Sequence, residues 1–346
     1  MLHDDRLQSM FKTWNCVGIR LKRPTIPRQL PPGRTPMDQA FLNTLVEQLP
    51  ELEPGQPFNP AARQYATYYG IDFSKEVDQH LGRISVDEFD LAVQVWRPSA
   101  PRGTLVLLHG YYDHMGLYQH LIRWALKQRL AVLAFDLPGH GLSSGERASI
   151  DCFLRYQQVL DGVIEQGRLW KLPAPWHFLG QSTGGAILID RLLHGPMPDQ
   201  AGQTILMAPL VRPRQWGVSQ FSLKLLGGFI QQLGRRFTDN STDVDFLEFI
   251  RQHDPLQAQV LPVAWVQALD KWIPRIETAV PAAHRPLVVQ GQADGTVDWQ
   301  HNIKVLQDKF DAPELFYLPQ ARHHLANEKA RLRGQYLDWL GDRLGY

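Results

Sequence analysis

Cysteine is scarce in this 346-residue chain: Cys16 and Cys152 stand far apart and match no metal-ligand or redox spacing. A disulfide framework is therefore not expected, and neither thiol is read as catalytic. An excess of charge of one sign is also missing, since 36 Lys and Arg residues nearly cancel 35 Asp and Glu residues. Such a balance offers no field that steers a protein to nucleic acid, and it suits neutral or zwitterionic substrates better. Long apolar runs able to span a bilayer are lacking. Asp4, Asp5 and Arg6 fall where a secretory signal would turn apolar, so the expected location is the cytoplasm, with peripheral membrane contact left open. No metal or organic cofactor is implied, and internal repeats and low-complexity tracts do not stand out.

What is present is an ordinary globular composition, 44% hydrophobic and 21% charged. The length suits one large α/β body carrying appendages. From Arg83 onward short apolar strands alternate with segments of helical period, the sign of βαβ units and a mostly parallel sheet flanked by helices. Phe89 to Trp96 alternates like a half-buried strand. Thr104 to Leu108, Leu130 to Phe135, His177 to Leu179, Thr204 to Met207, Leu287 to Gln290 and Leu315 to Leu318 read as compact buried strands.

Residues 1–82 are rich in proline and are expected to form an arm over the body, with at most short helices. Residues 83–208 and 281–346 make the two parts of the core, and residues 209–280 form an inserted helical cap without a strand signal. Within the cap Trp216, Phe221, Leu225, Leu226, Phe229 and Ile230 recur at roughly helical spacing. Such a stripe either roofs an apolar tunnel or packs against the body. In the arm Leu7, Met10, Phe11, Trp14, Val17 and Leu21 recur beside Arg6, Lys12, Arg20, Lys22 and Arg23. That pattern fits an interfacial helix on anionic lipid, although Asn15 and Gly18 interrupt it, and an arm docked on its own protein is the alternative.

Leu179-Gly180-Gln181-Ser182-Thr183-Gly184-Gly185 leads from an apolar strand into the helix-forming run Ala186 to Leu193. A G-x-S-x-G arises by chance in roughly one chain of this length in ten, so the flanking strand and helix carry the reading of a nucleophile elbow. A serine on so tight a turn needs small residues two positions before and after it. The turn aims the Thr183 N–H and the helix start at the space where a tetrahedral oxyanion would form. Earlier, Leu105 to Tyr111 is a buried strand ending in His109-Gly110, which makes the Tyr111 N–H the candidate second donor.

A hydroxyl attacks poorly until a base takes its proton. The best-placed histidines lie past the last strand, in Pro319-Gln320-Ala321-Arg322-His323-His324, and chemistry alone does not separate His323 from His324. The acid is expected at the end of the preceding strand, which selects Asp294, while Asp298 stands where a helix cap is expected. His114 at the mouth of a helix is a further histidine near the site, read as lining it rather than transferring protons.

These residues resemble the monoacylglycerol lipase and lysophospholipase branch of the α/β-hydrolases, a group that includes sequences labelled serine aminopeptidases. The resemblance runs from about Arg83 to the C-terminus. Phe135-Asp136-Leu137-Pro138-Gly139-His140-Gly141-Leu142-Ser143-Ser144-Gly145-Glu146-Arg147 is similar to its D-x-x-G-H-G-x-S-x-G-x-R segment. His109-Gly110, Asp113-His114 and Tyr118 resemble its oxyanion loop, and Gly291, Asp294 and Val297 its G-x-x-D-x-x-V acid motif. The branch places a glutamate five residues after its catalytic histidine; Glu328 holds that relation to His323, which selects His323 over its neighbour.

The resemblance implies an α/β-hydrolase fold with Ser182, His323 and Asp294 as nucleophile, base and acid, and no cofactor. Asp136 to Arg147 are read as scaffold. The elbow departs from the branch in carrying Gln181 and Thr183 where histidine and methionine are usual, which bears on the substrate. Gln181, His114, Trp216 and Phe221 are the residues expected to line the substrate site, and a single-chain lipid ester is the expected substrate. An aminopeptidase using Asp239, Asp243, Asp245 and Glu248 to hold a free amino terminus, a small-ester hydrolase and a non-catalytic binding relative are the alternatives.

Overall fold

In the computed structural model, the residues described are 37–220, 230–235 and 237–345. The proposed arm helix and Phe221, Leu225, Leu226 and Phe229 of the cap lie outside them. Among the described residues ten strands form, eight of them in one sheet: β1 (Asp78–Val86), β2 (Phe89–Arg97), β3 (Gly103–Leu108), β4 (Leu130–Phe135), β5 (Trp176–Gln181), β6 (Ala201–Met207), β9 (Leu287–Gly291) and β10 (Glu314–Leu318). Their spatial order is β1-β2-β4-β3-β5-β6-β9-β10. The pairs β1/β2 and β2/β4 are antiparallel. Every other neighbour pair in this sheet is parallel.

Both faces of the sheet are covered, which is why its central strands read as unbroken apolar runs. Side chains alternate between two apolar layers, as the two-residue period of a strand requires. Val106, Leu108, Leu133 and Phe135 join one layer, with α4 (Leu154–Leu169), α5 (Thr183–His194) and α7 (Val263–Glu277). Leu105, Leu107, Val132 and Ala134 join the other, with α3 (Gln119–Lys127) and α9 (Ala330–Leu344). The proline-rich segment contributes α1 (Gln39–Glu47) and α2 (Pro60–Tyr69), whose Leu42, Leu45, Tyr65 and Tyr69 are buried in this second layer. Pro60 begins α2, where its missing N–H costs nothing, and Gly70 ends it with φ of 72°.

The sheet begins at Asp78, upstream of Arg83. Between α1 and α2 the chain pairs with the β1 edge: Arg83 N–H donates to Pro50 O at 2.8 Å and Leu52 N–H to Arg83 O at 2.9 Å. This covers an edge that would otherwise present open hydrogen-bonding groups.

The interval from Pro209 to Val280 carries α6 (Val244–Gln252) and α7, but it is not free of strands. β7 (Gln232–Gly234) pairs antiparallel with β8 (Val260–Pro262). Three-residue strands joined across so long a separation leave no local alternation to read. α7 turns its apolar stripe into the body: Trp265, Leu269, Trp272 and Ile276 are buried in the first core layer, as is Trp216. Asp190 on α5 holds α7 by accepting from Trp272 Nε1 and Arg275 Nε, each at 3.0 Å. Among the described residues no helix is long and apolar enough to cross a membrane.

Candidate active site

Ser182 occupies the single residue between β5 and α5, with φ of 52° and ψ of −109°. That backbone is strained for a residue with a side chain and persists only where the surroundings over-determine it. Glycines make the turn possible: a Cβ on Gly180 would lie 2.3 Å from the backbone of Gly184, and one on Gly184 would lie 2.3 Å from Leu108 O.

The turn lifts the Ser182 hydroxyl to His323, with Oγ 2.9 Å from Nε2. On the other side of the ring Nδ1 donates to Asp294 Oδ2 at 2.7 Å, which leaves Nε2 bare to accept the serine proton. Burial pushes the His323 imidazole pKa down, but the Asp294 carboxylate more than offsets this and the value ends above the usual histidine range. Asp294 is fixed by Thr296 N–H at 2.8 Å and Val297 N–H at 3.2 Å on Oδ1, and by Gln290 Nε2 at 3.3 Å on Oδ2. Asp298 caps α8 (Trp299–Lys309) instead, its carboxylate accepting from His301 N–H. At Gly291 the histidine loop passes so close that a Cβ would lie 2.4 Å from Ala321 O and Arg322 O.

Glu328 organises that loop. It is fully buried, and its carboxylate accepts from Arg322 N–H and from both the N–H and hydroxyl of Thr242, so the histidine loop is tied to the cap.

The Thr183 N–H stands at the first turn of α5, where backbone donors have no partner within the helix. Tyr111 follows Gly110, whose Cβ position lies 3.3 Å from Ser182 Cβ, so the strand end approaches the serine closely. The loop beyond it is held by interlocking bonds. His109 Nδ1 donates to Gly110 O at 2.8 Å while its Nε2 accepts from Leu137 N–H at 2.9 Å. Burial, together with the nearby His140, pushes the His109 pKa down to about 3, so it is a neutral strut. Tyr118 OH accepts from Gly110 N–H at 3.0 Å and donates to Asp113 Oδ2 at 2.9 Å. The other Asp113 oxygen meets His324 Nε2 at 3.2 Å. Burial alone would raise the Asp113 carboxyl, but His324 holds it below the usual carboxylate range.

The segment from Asp136 to Arg147 braces this loop from beneath. Asp136 accepts from Met115 N–H at 2.7 Å and Leu142 N–H at 2.8 Å. Gly141, with φ of 51°, passes where a Cβ would lie 2.0 Å from Asp136 Oδ2.

Three residues expected to line the substrate have other surroundings. Gln181 is buried, and its Oε1 accepts from Ala326 N–H at 2.9 Å, so it anchors the turn after His323. His114 is wholly buried and donates from Nε2 to Asp254 Oδ2 at 3.0 Å. Tyr69 OH and Gln257 Nε2 complete the Asp254 cluster at 2.8 and 2.7 Å. Trp216 packs in the core, and Phe221 lies outside the described residues. The partners of Gln181 and His114 are distant in sequence, as Asp254 is from His114, and local pattern carries no trace of them. Among the described residues no cluster of His, Cys, Asp and Glu could hold a metal ion.

A serine on a strand-to-helix turn of a mostly parallel sheet, bonded to a histidine that is bonded to a carboxylate, defines an α/β-hydrolase. Family comparison gives the narrower class. The profile described as "Serine aminopeptidase, S33" matches residues 99–330, and the chain belongs to that family of hydrolytic enzymes. Human monoglyceride lipase is 30% identical over 228 residues, covering 62% of this chain and 73% of that protein. Monoglyceride lipase of Rattus norvegicus is 26% identical over 259 residues, covering 71% and 83%. Among solved structures, a soluble variant of monoglyceride lipase from Saccharomyces cerevisiae, in complex with a substrate analog, superimposes with a TM-score of 0.65 at 17% identity. It covers 77% of this chain and 94% of that one, a likeness of fold.

Proposed function

We propose that the chain hydrolyses the carboxylic ester of a single-chain lipid, a monoacylglycerol or a lysophospholipid, through an acyl-enzyme on Ser182. The observation that carries this is the continuous chain Ser182 Oγ, His323, Asp294, at 2.9 and 2.7 Å, on a strained elbow. The lipid part rests on the relatives named monoglyceride lipase.

In this reading Ser182 Oγ attacks the ester carbon while its proton passes to His323 Nε2. Negative charge developing on the carbonyl oxygen is met by the N–H groups of Tyr111 and Thr183, and one such donor contributes about 3 kcal/mol to the barrier reduction. Collapse breaks the bond to the alcohol, which leaves with the proton from His323. Water then repeats the sequence, His323 accepting its proton and Ser182 recovering it as the fatty acid departs. Asp294 holds the imidazole tautomer and offsets the charge of the imidazolium.

The peptide-bond alternative has less behind it. Asp239 is paired with Arg251, and Asp243 caps α6 by accepting from Asp245 N–H and Phe246 N–H. The test is fatty-acid release from monoacylglycerols, lysophospholipids, short p-nitrophenyl esters and aminoacyl amides, comparing wild type with Ser182→Ala. Long single-chain lipids are expected to be preferred, with a loss of roughly 10⁴-fold or more in the variant. Release from no lipid, or release unchanged in Ser182→Ala, would overturn the proposal.

A further inference from the structure

The cap carries a cation directly over the oxyanion loop. Arg235, which follows β7, lays its guanidinium on the Tyr112 ring at 4.0 Å and the Phe237 ring at 4.2 Å. Nη1 donates to Gln257 Oε1 at 2.7 Å and to Ala258 O at 3.1 Å. Among the described residues no carboxylate pairs with it, and no acceptor takes its Nε or Nη2 hydrogens.

The neighbouring acids are already engaged. Asp113 meets His324, and Asp254 is held by His114, Tyr69 and Gln257. Gln257 itself bridges Asp254 and Arg235, so the guanidinium is held in a fixed pose by the cap. A partly buried cation with donors to spare is costly without an anionic partner, and a planar guanidinium fork matches the oxygens of a phosphate. Its place also matters: Tyr112 is next to Tyr111, and a Cβ on Gly110 would lie 3.3 Å from Ser182 Cβ. The guanidinium therefore lies on the ring of the residue that follows the proposed oxyanion donor.

We infer that Arg235, seated between Tyr112 and Phe237, binds a phosphate oxygen on the alcohol side of the substrate, which makes an anionic phosphoester the preferred class over a neutral glyceride. This deepens the ester-hydrolase reading above and rests on it for the lipid arms of the test. A phosphate could arrive on a lipid headgroup or on a soluble phosphorylated ester, and the test separates the two.

The experiment compares kcat/KM for oleoyl lysophosphatidate, oleoyl lysophosphatidylglycerol and monooleoylglycerol in wild type, Arg235→Gln and Arg235→Lys. In Arg235→Gln the two anionic lipids should lose on the order of 30-fold or more, with monooleoylglycerol within about threefold and Lys recovering part of the loss. An equal fall for all three lipids, or none for the anionic pair, overturns the inference, since an arginine that only braces Tyr112 would act on every substrate alike. A second arm needs no lipid turnover: protection of Ser182 from a fluorophosphonate probe by glycerol 3-phosphate. Protection by glycerol 3-phosphate but not glycerol, lost in Arg235→Gln, supports the site. With lipid turnover it points to a headgroup; without it, to a soluble phosphoester and against the lipid reading alone. Absence of protection in wild type overturns the site, whatever the lipid result.

Discussion

Trp265 of the cap stacks on Tyr111 of the loop after β3, with ring centroids 3.8 Å apart and an interplanar angle of 21°. The Tyr111 hydroxyl is fixed at the far end by Ala148 O at 2.6 Å. The residue proposed to present an oxyanion donor is thus clamped between the cap and the loop after Arg147.

Removing that clamp should reach the chemistry as well as the core. Trp265→Ala is expected to cost about 3 to 5 kcal/mol of stability, as large-to-small changes at buried aromatics do. Because the Tyr111 N–H would lose its wall, kcat should fall by about 10- to 100-fold even in folded protein, within the range of one oxyanion donor. Trp265→Phe should keep most of both. Thermal unfolding beside ester turnover checks this, and a stability loss with kcat untouched would show that the stack does not position Tyr111.

Glu328 offers a sharper separation of positioning from folding. Glu328→Gln keeps the side-chain volume but replaces one acceptor oxygen with a donor that faces Arg322 N–H or Thr242 N–H. Leaving one such buried group unpaired costs about 1 to 3 kcal/mol. The His323 loop should loosen, so kcat is expected to drop by about tenfold or more with KM little changed. The rate of fluorophosphonate labelling at Ser182 should fall in parallel. Labelling at the wild-type rate would mean that His323 keeps its place without Glu328.

The parts legible in sequence were those with local causes. Central strands such as Val106 to Leu108 are buried on both faces, so they read as apolar runs, and Ser182 announces itself through the glycines its turn demands. β1 was hidden because Asp78, Gln79, His80 and Arg83 break the apolar pattern, and its outer edge is met by Pro50 to Leu52. The residues alone leave His323 and His324 unseparated; the choice of His323 rests on the resemblance, whose branch carries a glutamate five residues after its histidine, where Glu328 stands. The bonds of Gln181 to Ala326 and of His114 to Asp254 span 145 and 140 residues and are not legible in the sequence. Tertiary hydrogen bonds of that range leave no periodicity to detect.

In the proposed mechanism the pairing of His323 with Asp294 sets the acid limb of the rate profile. A base works only when neutral, and the Asp294 carboxylate holds the protonated form of His323 against the opposing effect of burial. The kcat/KM midpoint on the acid side should therefore lie above the ordinary histidine value of 6.5. Asp294→Asn should move the residual midpoint downward and reduce kcat by roughly 10⁴-fold. A midpoint at or below 6.5 in the wild type would mean that desolvation outweighs Asp294.

The His114 and Asp254 pair joins the loop after β3 to the cap, and it predicts a stability that depends on pH in a defined window. Burial lowers the His114 pKa, but Asp254 overrides it and the value is raised from 6.5. Burial raises the Asp254 carboxyl, but His114 and the hydrogen bonds around it hold it below 3.8. The raised histidine contributes stability in full below the unfolded value of 6.5, lost as pH rises through its folded value. The depressed aspartate contributes above 3.8 and loses this as pH falls through its own folded value. Both terms are therefore present between 3.8 and 6.5. Asp254→Asn also loses bonds from Gln257 and Tyr69 whose strength hardly depends on pH, so the informative quantity is the change in the gap to wild type. Measured by urea unfolding, the gap should be wider at pH 5.5 than at pH 9, by about 1 kcal/mol for each unit of pKa shift. A gap that stays constant across that range would mean that His114 is neutral throughout and that the bond to Asp254 carries no charge.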